Sequence, residues 1–319
     1  MLINNLNDFQ TPEFVIVGAG PAGTTLANQL SLTNKKVLLL EGGGEEINEI
    51  DQNRYKGKVI GDKYFDLDVA RLRYFGGSSN HWGGNCAPLD EIDFLQWPFE
   101  KKDLDEYREN ARKILNIKEK FEKYESSIFK SFKLSSMLES DVNFKEKYFE
   151  QFKKDKNIFL TLNANLLQII SDDSNGYVTE LLIKKNDNIK KLIIPKKTKI
   201  ILSCGGLENS RILLWSKAKS QNNFLNGLPI GKYWMEHPSG HIAQFLGEEN
   251  KVNKVFKDRK NFFLVPSKSF IQDEDLNNIR FSFLFWDNIY EKSMAHYVKD
   301  LICIAPNLSK SIIEKISKN

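Results

Sequence analysis

Two rhythms of apolar positions run through the first forty residues. Phe14-Val15-Ile16-Val17 is a short, β-branched apolar run with the texture of a buried parallel strand. A glycine-rich turn follows it. Ala22, Leu26, Ala27 and Leu30 then recur at helical spacing and predict a helix with one apolar face. Val37-Leu38-Leu39-Leu40 predicts the next buried strand. Strand, turn, helix and strand form a βαβ unit, which implies a parallel sheet with helices packed on it.

Beyond that unit the pattern weakens. Residues 42–70 read as loop, and the stretch from Gly76 to Gly84 carries neither period and also reads as loop. Near Asp103 a helix is predicted, with Asp103 as its cap and Leu104, Tyr107, Ala111 and Ile114 as its buried stripe. Residues 117–157 are rich in Lys and Glu with scattered Phe and Tyr, and read as an exposed helical excursion.

From Ile158 the texture turns to short strands: Phe159–Leu162, Leu166–Ile170, Tyr177–Ile183 and Leu192–Ile194. Asn175-Gly176 is a hairpin turn signal between two of them. Ile200-Ile201-Leu202 predicts a returning core strand, broken by Gly205-Gly206 and followed by a helix carrying Ile212, Leu213 and Leu214. After Gly240 the pattern is mixed, with aromatics at Phe281, Phe283, Phe285 and Trp286. No internal repeat is present.

Composition narrows the class. A chain of 319 residues with 41% hydrophobic content supports a sizeable core and two domains. The net charge of +4 comes from 46 basic and 42 acidic residues mixed along the chain, unlike the clustered basic face of a nucleic-acid protein. The surplus of Lys, Asn and Ile is a compositional bias rather than a binding signal. Cys86, Cys204 and Cys303 are odd in number and far apart, so neither a disulfide framework nor a metal site is expected. Met1 to Pro12 lacks the layout of a secretory signal, and no apolar run approaches the ~18–20 residues of a membrane span. A soluble, cytoplasmic protein is the expectation.

The first chemical motif is Gly18-Ala19-Gly20-Pro21-Ala22-Gly23. Gly18 allows a tight turn, Gly20 lets backbone approach a pyrophosphate, and Gly23 lets helix pack close to strand. The helix N-terminus then presents unpaired N–H groups to phosphate. Glu41 closes the next strand, where an acid hydrogen-bonds adenosine ribose hydroxyls, and Gly42 follows it. The alternative is a coincidental glycine turn with a surface glutamate, which the clear strand and helix on either side disfavour. A carboxylate at Glu41 also argues against NADP, because it repels a 2′-phosphate. The motif alone leaves NAD and FAD open.

The second motif is Arg73-Tyr74-Phe75-Gly76-Gly77-Ser78-Ser79-Asn80-His81-Trp82-Gly83-Gly84. Its glycines and serines make backbone amides available to an anion and let a flat ring approach. Here the sequence resembles the glucose–methanol–choline (GMC) flavoprotein oxidoreductases, whose Gly-Gly-Ser-Ser loop runs along FAD. The His-Trp pair is closer to the sugar-oxidising branch typified by pyranose oxidase and glycoside dehydrogenases. Further stretches fit in family order. Trp97-Pro98 precedes the Asp103 helix, and Asn163-Ala164-Asn165-Leu166 resembles the strand beside the adenine. The run from Ser203 through Cys204 and Gly205 to Arg211 resembles the second signature, and Gly231 to Pro238 the later Gly-x-x-x-x-x-His-Pro element. The resemblance covers residues 13–241.

The resemblance implies an α/β (α+β) fold: a Rossmann-like FAD-binding parallel sheet, an antiparallel β-meander and an incomplete substrate domain. The implied boundaries are 1–96 with 158–240 for FAD binding, 97–157 for a helical insert, and 241–319 for the start of the substrate domain. FAD is the implied cofactor. Its binding positions transfer to Gly18 through Gly23, Glu41, Gly42, Arg73, Gly76 through Gly83, Leu166, Cys204 and Gly205. In the pyranose oxidase type, the histidine at the place of His81 is joined covalently to flavin. That makes a His81–FAD bond one reading, and an imidazole packed against the flavin the plainer one. His237, before Pro238, and His241 read as structural residues, His296 as a surface or partly buried one, and Cys86 as a packed thiol.

The implied reaction is hydride transfer from a sugar or alcohol CH–OH group to flavin, with a base taking the hydroxyl proton. The family carries that base late in the chain, and this sequence has no histidine after His296. The expectation is a truncated or split form that binds FAD weakly, with no catalytic residue assigned and a second chain supplying the C-terminal portion. The alternatives are a non-catalytic flavin-binding remnant or assembly subunit, and an NAD-dependent Rossmann enzyme. The last of these leaves the Gly76–Gly84 loop unexplained.

Overall fold

The computed structural model describes residues 1–6, 11–62, 64–95, 97–118, 126–129, 131–172, 176–185, 187–220, 225–236, 262–276 and 278–281. Asn175, His237, Pro238, His241, Phe283, Phe285, Trp286, His296, Cys303 and the tail 310–319 lie outside these residues. The chain divides into two units, one of residues 1–121 with 138–248 and one of residues 122–137 with 249–319.

The first unit is built on β1 (Phe14–Val17), α1 (Pro21–Leu32) and β2 (Val37–Leu40), the βαβ unit read from the sequence. Two later strands, β7 (Ile158–Thr161) and β11 (Lys199–Leu202), complete a four-stranded parallel sheet in the order β11-β1-β2-β7. Ile16 stands opposite Ile201 on one side and Leu39 on the other, and Leu39 opposite Leu160. Neighbouring strand residues point to opposite faces. Val15, Val17, Leu38 and Leu40 therefore join one apolar cluster, while Ile16, Val37, Leu39 and Leu160 join another. Burial on both faces is why these strands read as unbroken apolar runs.

One face is covered by α1 and α5 (Phe144–Lys154). The contact side of α1 is the predicted one for Ala27, which is buried, and for Leu26 and Leu30, which pack partly buried on the same cluster, but Ala22 is exposed and Gly23, Thr24 and Ser31 are buried as well. Small residues face the sheet because the helix lies close to it. In α5 the excursion read as exposed buries Phe144, Tyr148, Phe149 and Phe152, and the Asn143 side chain accepts from Lys145 N at 3.0 Å to cap it. Phe75, fully buried, meets this face edge-on, 5.1 Å from Phe149 and 6.1 Å from Phe152. The second glycine loop is thus anchored in the core by the residue just before Gly76.

The other face is covered by the predicted antiparallel meander: β8 (Ala164–Ser171), β9 (Val178–Lys185) and β10 (Asn188–Ile193), in the order β10-β9-β8. Helix α6 (Gly205–Lys219) packs on it through Ile212 and Ser216, whose Oγ accepts from Ile169 N at 2.9 Å. Among the described residues of the stretch 42–70, all are loop apart from α2 (Glu49–Gln52) and one 3₁₀ turn, Asn53–Tyr55. A two-stranded ribbon pairs β3 (Asn85–Cys86) with β6 (Leu138–Glu139). The Asp103 helix is split into α3 (Lys102–Asp105) and α4 (Arg108–Ile114), and neither buries a residue. Asp103 lies inside α3, where its Oδ2 accepts from Glu100 N at 2.9 Å; of the predicted stripe Leu104, Tyr107 and Ala111 are exposed, and Ile114 packs partly buried on the core.

The second unit contains the sheet β12-β5-β4, from β4 (Ser126–Phe129), β5 (Phe132–Ser136) and β12 (Phe262–Pro266). Leu134 and Leu264 are buried there, and the Phe132 ring meets Phe270 and Phe281. The helix Lys268–Asp273 starts at Ser267, whose Oγ accepts from Phe270 N at 3.3 Å. The architecture is α/β: a parallel sheet, antiparallel sheets and helices.

Candidate functional site at the carboxyl edge of the parallel sheet

The first glycine turn leaves β1. Gly18 has φ +98°, a conformation L side chains rarely adopt, and a Cβ there would lie 2.7 Å from Ser203 O. At Gly23 a Cβ would collide with Gly18 O and lie 2.6 Å from Ser203 Oγ. Ser203 Oγ lies 2.8 Å from both Val17 O and Gly18 O and donates there. Gly20 is different. A Cβ at Gly20 would meet nothing within 4 Å, so its small size keeps a ledge open rather than making packing possible. Pro21 begins α1, and Pro21 and Ala22 are exposed at the start of the helix.

Glu41, buried at the end of β2, accepts from Ala19 N through Oε2 and from Gly43 N through Oε1, each at 2.8 Å. Burial pushes its pKa above the ordinary 4.5, while the two N–H donors and the Arg73 guanidinium oppose that shift. A carboxylate oxygen accepts more than one hydrogen bond, so both retain capacity. Arg73 Nη2 donates to Asn165 Oδ1 beside it. A Cβ at Gly42 would stand 2.5 Å from Arg73 Nη2, so a side chain there would displace the guanidinium from its place beside Asn165. Leu166 points instead into the apolar core, so on β8 the polar contact belongs to Asn165.

The second glycine loop folds onto the first. Gly76 and Gly77 have φ +92° and +59°; Gly76 N donates to Ala19 O at 2.9 Å, and a Cβ on Gly77 would lie 3.3 Å from Gly20 Cα. Gly77–Asn80 forms one 3₁₀ turn where the sequence predicts plain loop, and the buried Ser79 hydroxyl donates to Gly76 O at 2.7 Å across it. Ser78 is exposed and its Oγ accepts from Leu72 N. Asn80 Nδ2 donates to Phe75 O at 2.9 Å. His81 and Gly83 are exposed, and Trp82 Nε1 donates to Val142 O at 3.0 Å.

A third turn leaves β11. Cys204 N donates to Asn209 Oδ1, and its Sγ lies 3.1 Å from Val17 O. Burial pushes the Cys204 thiol up to about 12, with the Glu41 and Glu208 carboxylates adding to the shift. Burial also raises the Cys86 thiol. Neither is a ready thiolate nucleophile at neutral pH. Gly205 has φ +81° and, like Gly20, open space where a Cβ would be.

These parts fall in a line. Reading the sheet from β2 through β1 to β11, the carboxyl edge presents Glu41, then Gly20, then Gly205, on neighbouring strands about 4.8 Å apart. Arg73 Nε and Asn80 Oδ1 are buried without a hydrogen-bond partner among the described residues, although a buried polar atom ordinarily has one. A hydroxyl-accepting carboxylate, two open backbone ledges and two unmatched polar atoms fit an elongated ligand with hydroxyls at one end and an anionic middle. Among the described residues, no cluster of three His, Cys, Asp or Glu side chains could hold a metal ion, and no helix is long and apolar enough to cross a membrane.

No family model and no curated protein matches the chain. Among solved structures, pyridoxine 4-oxidase from Mesorbium loti is similar at 15% identity and TM-score 0.45, over 64% of this chain and 51% of that one. Formate oxidase is similar at 17% identity and TM-score 0.43, over 65% of this chain and 48% of that one. An Aspergillus oryzae formate oxidase variant, made to follow FAD modification, gives the same figures. The chain spans about half the length of these structures.

Proposed function

We propose that the chain binds FAD along the carboxyl edge of its parallel sheet, and that it is the cofactor-binding part of a GMC-type flavoprotein oxidising CH–OH groups of sugars or alcohols. The observation that carries this reading is the line Glu41, Gly20, Gly205 on three adjacent strand ends, with Arg73 Nε left unpartnered beside it. In this reading Glu41 accepts the ribose hydroxyls, and the amides at the start of α1 face the pyrophosphate. Gly205 leaves room for the flavin end. The Gly76–Gly77 backbone closes over Gly20 and excludes water from the anionic middle. A bound flavin supplies the two-electron acceptance that takes a hydride from the alcohol carbon. The base is not assigned to any described residue, and the activity, substrate and any partner chain of the whole protein are part of the proposal.

The test is direct. The purified protein is incubated with excess FAD, passed through a desalting column and scanned in the visible range, then mixed with sugars or simple alcohols and an electron-accepting dye. Retained flavin absorbance supports the reading; its complete loss on the column sinks it. His81 lies exposed at the end of its turn and is proposed as a non-covalent neighbour of the flavin. Acid precipitation should then leave the yellow colour in the supernatant, whereas colour in the pellet means a covalent bond.

A further inference from the structure

The segment between Gly43 and Gly76 builds a charged cluster to which the ligand reading gives no part beyond Arg73. The turn Asn53–Tyr55 places the Tyr55 ring against two guanidiniums, with Arg71 Cζ 4.1 Å and Arg73 Cζ 5.0 Å from its centroid. Arg71 reaches one way. Its Nη1 donates to Glu208 Oε1 at 3.2 Å and its Nε to Leu67 O at 3.1 Å. Glu208 is buried in the first turn of α6, three residues after Gly205, and its other oxygen accepts from Arg211 Nε at 2.8 Å. Arg73 reaches the other way, to Asn165 beside Gly42. Gln52 joins the two, accepting from Arg73 N at 3.0 Å and donating to Arg71 O at 2.5 Å. One stack therefore runs from the β2 end of the line to the β11 end.

We propose that the Arg71–Tyr55–Arg73 stack, fastened to Glu208, is a spacer that fixes the separation between the Glu41 station and the Gly205 turn. This rests on the FAD reading, and it makes Arg71 a positioning residue that touches no ligand itself. A ligand spanning both stations gains from the fixed separation; a ligand occupying only the first does not. Arginine is needed because a planar guanidinium can stack on Tyr55 and donate to Glu208 together, whereas a lysine ammonium keeps the charge pair and loses the planar stack. The pair is shielded enough to matter, with side-chain exposures of 17% and 9%.

The experiment compares affinities of the full chain for FAD, by flavin fluorescence, and for ADP, by calorimetry. Arg71→Gln is expected to weaken FAD about tenfold, equivalent to about 1.4 kcal/mol. Arg71→Lys should fall between Arg71→Gln and the unaltered protein. ADP affinity should stay within about twofold in both. Equal losses for ADP and FAD would show a general structural role and overturn the spacer, as would unchanged FAD binding. If Arg71→Gln does not fold, the FAD-to-ADP split of Arg71→Lys decides. Unaltered protein that binds no FAD overturns both this inference and the proposed function; binding of both ligands without the split overturns the spacer alone.

Discussion

Glu41 holds two opposed demands in one side chain. Its pKa is raised by burial above the ordinary 4.5, so the folded protein holds that proton more tightly than the unfolded chain. The associated stability is fully present below pH 4.5 and is lost as pH rises through the folded-state value. The ionised form is the better acceptor for ligand hydroxyls, so FAD affinity should rise across the same interval. Thermal melts of apo-protein and FAD titrations at stepped pH should give slopes of opposite sign, and Glu41→Gln should flatten both. The glycines divide in a similar way. Gly23→Ala forces a Cβ into Gly18 O and should cost about 3 kcal/mol or more in urea unfolding. Gly20→Ala, at a backbone of φ −75° and with open space around it, should leave the apo midpoint unchanged and weaken FAD at least tenfold. The turn formed by Gly18, Gly20 and Gly23, with Glu41 against it, is legible in the sequence because its spacing is set by local geometry. Nothing local marks Tyr55 or Arg71, and the motif stretches that contain Asn165 and Glu208 assign those two no role, because the four come together only after three separated segments fold. The motif that names Leu166 carries no information on which way its side chain turns, and it turns to the core.

At the scale of elements, legibility follows burial. The strands Phe14–Val17 and Val37–Leu40 are apolar at every position because both their faces are covered. Helix α5 reads from the sequence as helical but exposed, because Lys and Glu fill its outer positions and lower its average hydropathy. Its inner face is four aromatic rings, with Tyr148 and Phe152 stacked at 5.3 Å. Helix α4 shows the reverse: of the predicted stripe only Ile114 packs, partly buried, on the core, while Tyr107 and Ala111 keep the right spacing and stay exposed. Phe152 is fully buried between α1, β7 and Phe75, so Phe152→Ala should cost about 3–5 kcal/mol in denaturant unfolding. Tyr107→Ala, on the exposed helix, should change stability by less than about 0.5 kcal/mol. Similar losses at the two positions would mean that α5 is not part of the core.

On the scale of the whole molecule, the site and the core are mechanically one object. Phe75 plugs the aromatic cluster and the next residue begins the glycine loop, while Ser203 closes β11 and packs against Gly18 and Gly23. A ligand gripping these turns should stabilise the sheet that carries them. Binding to the folded state alone adds about 2.7 kcal/mol when free ligand is a hundredfold above its dissociation constant. For a folded unit of roughly 200 residues that corresponds to a rise in midpoint of about 5–10 °C. FAD should produce that shift in a thermal melt, ADP a smaller one, and riboflavin, which lacks the adenosine and pyrophosphate, almost none. In Gly20→Ala the apo midpoint should stand where it does in the unaltered protein while the FAD-induced rise at the same FAD concentration falls by half or more. A rise of equal size with riboflavin would place the ligand's grip on the flavin end alone and remove Glu41 and the first glycine turn from the site.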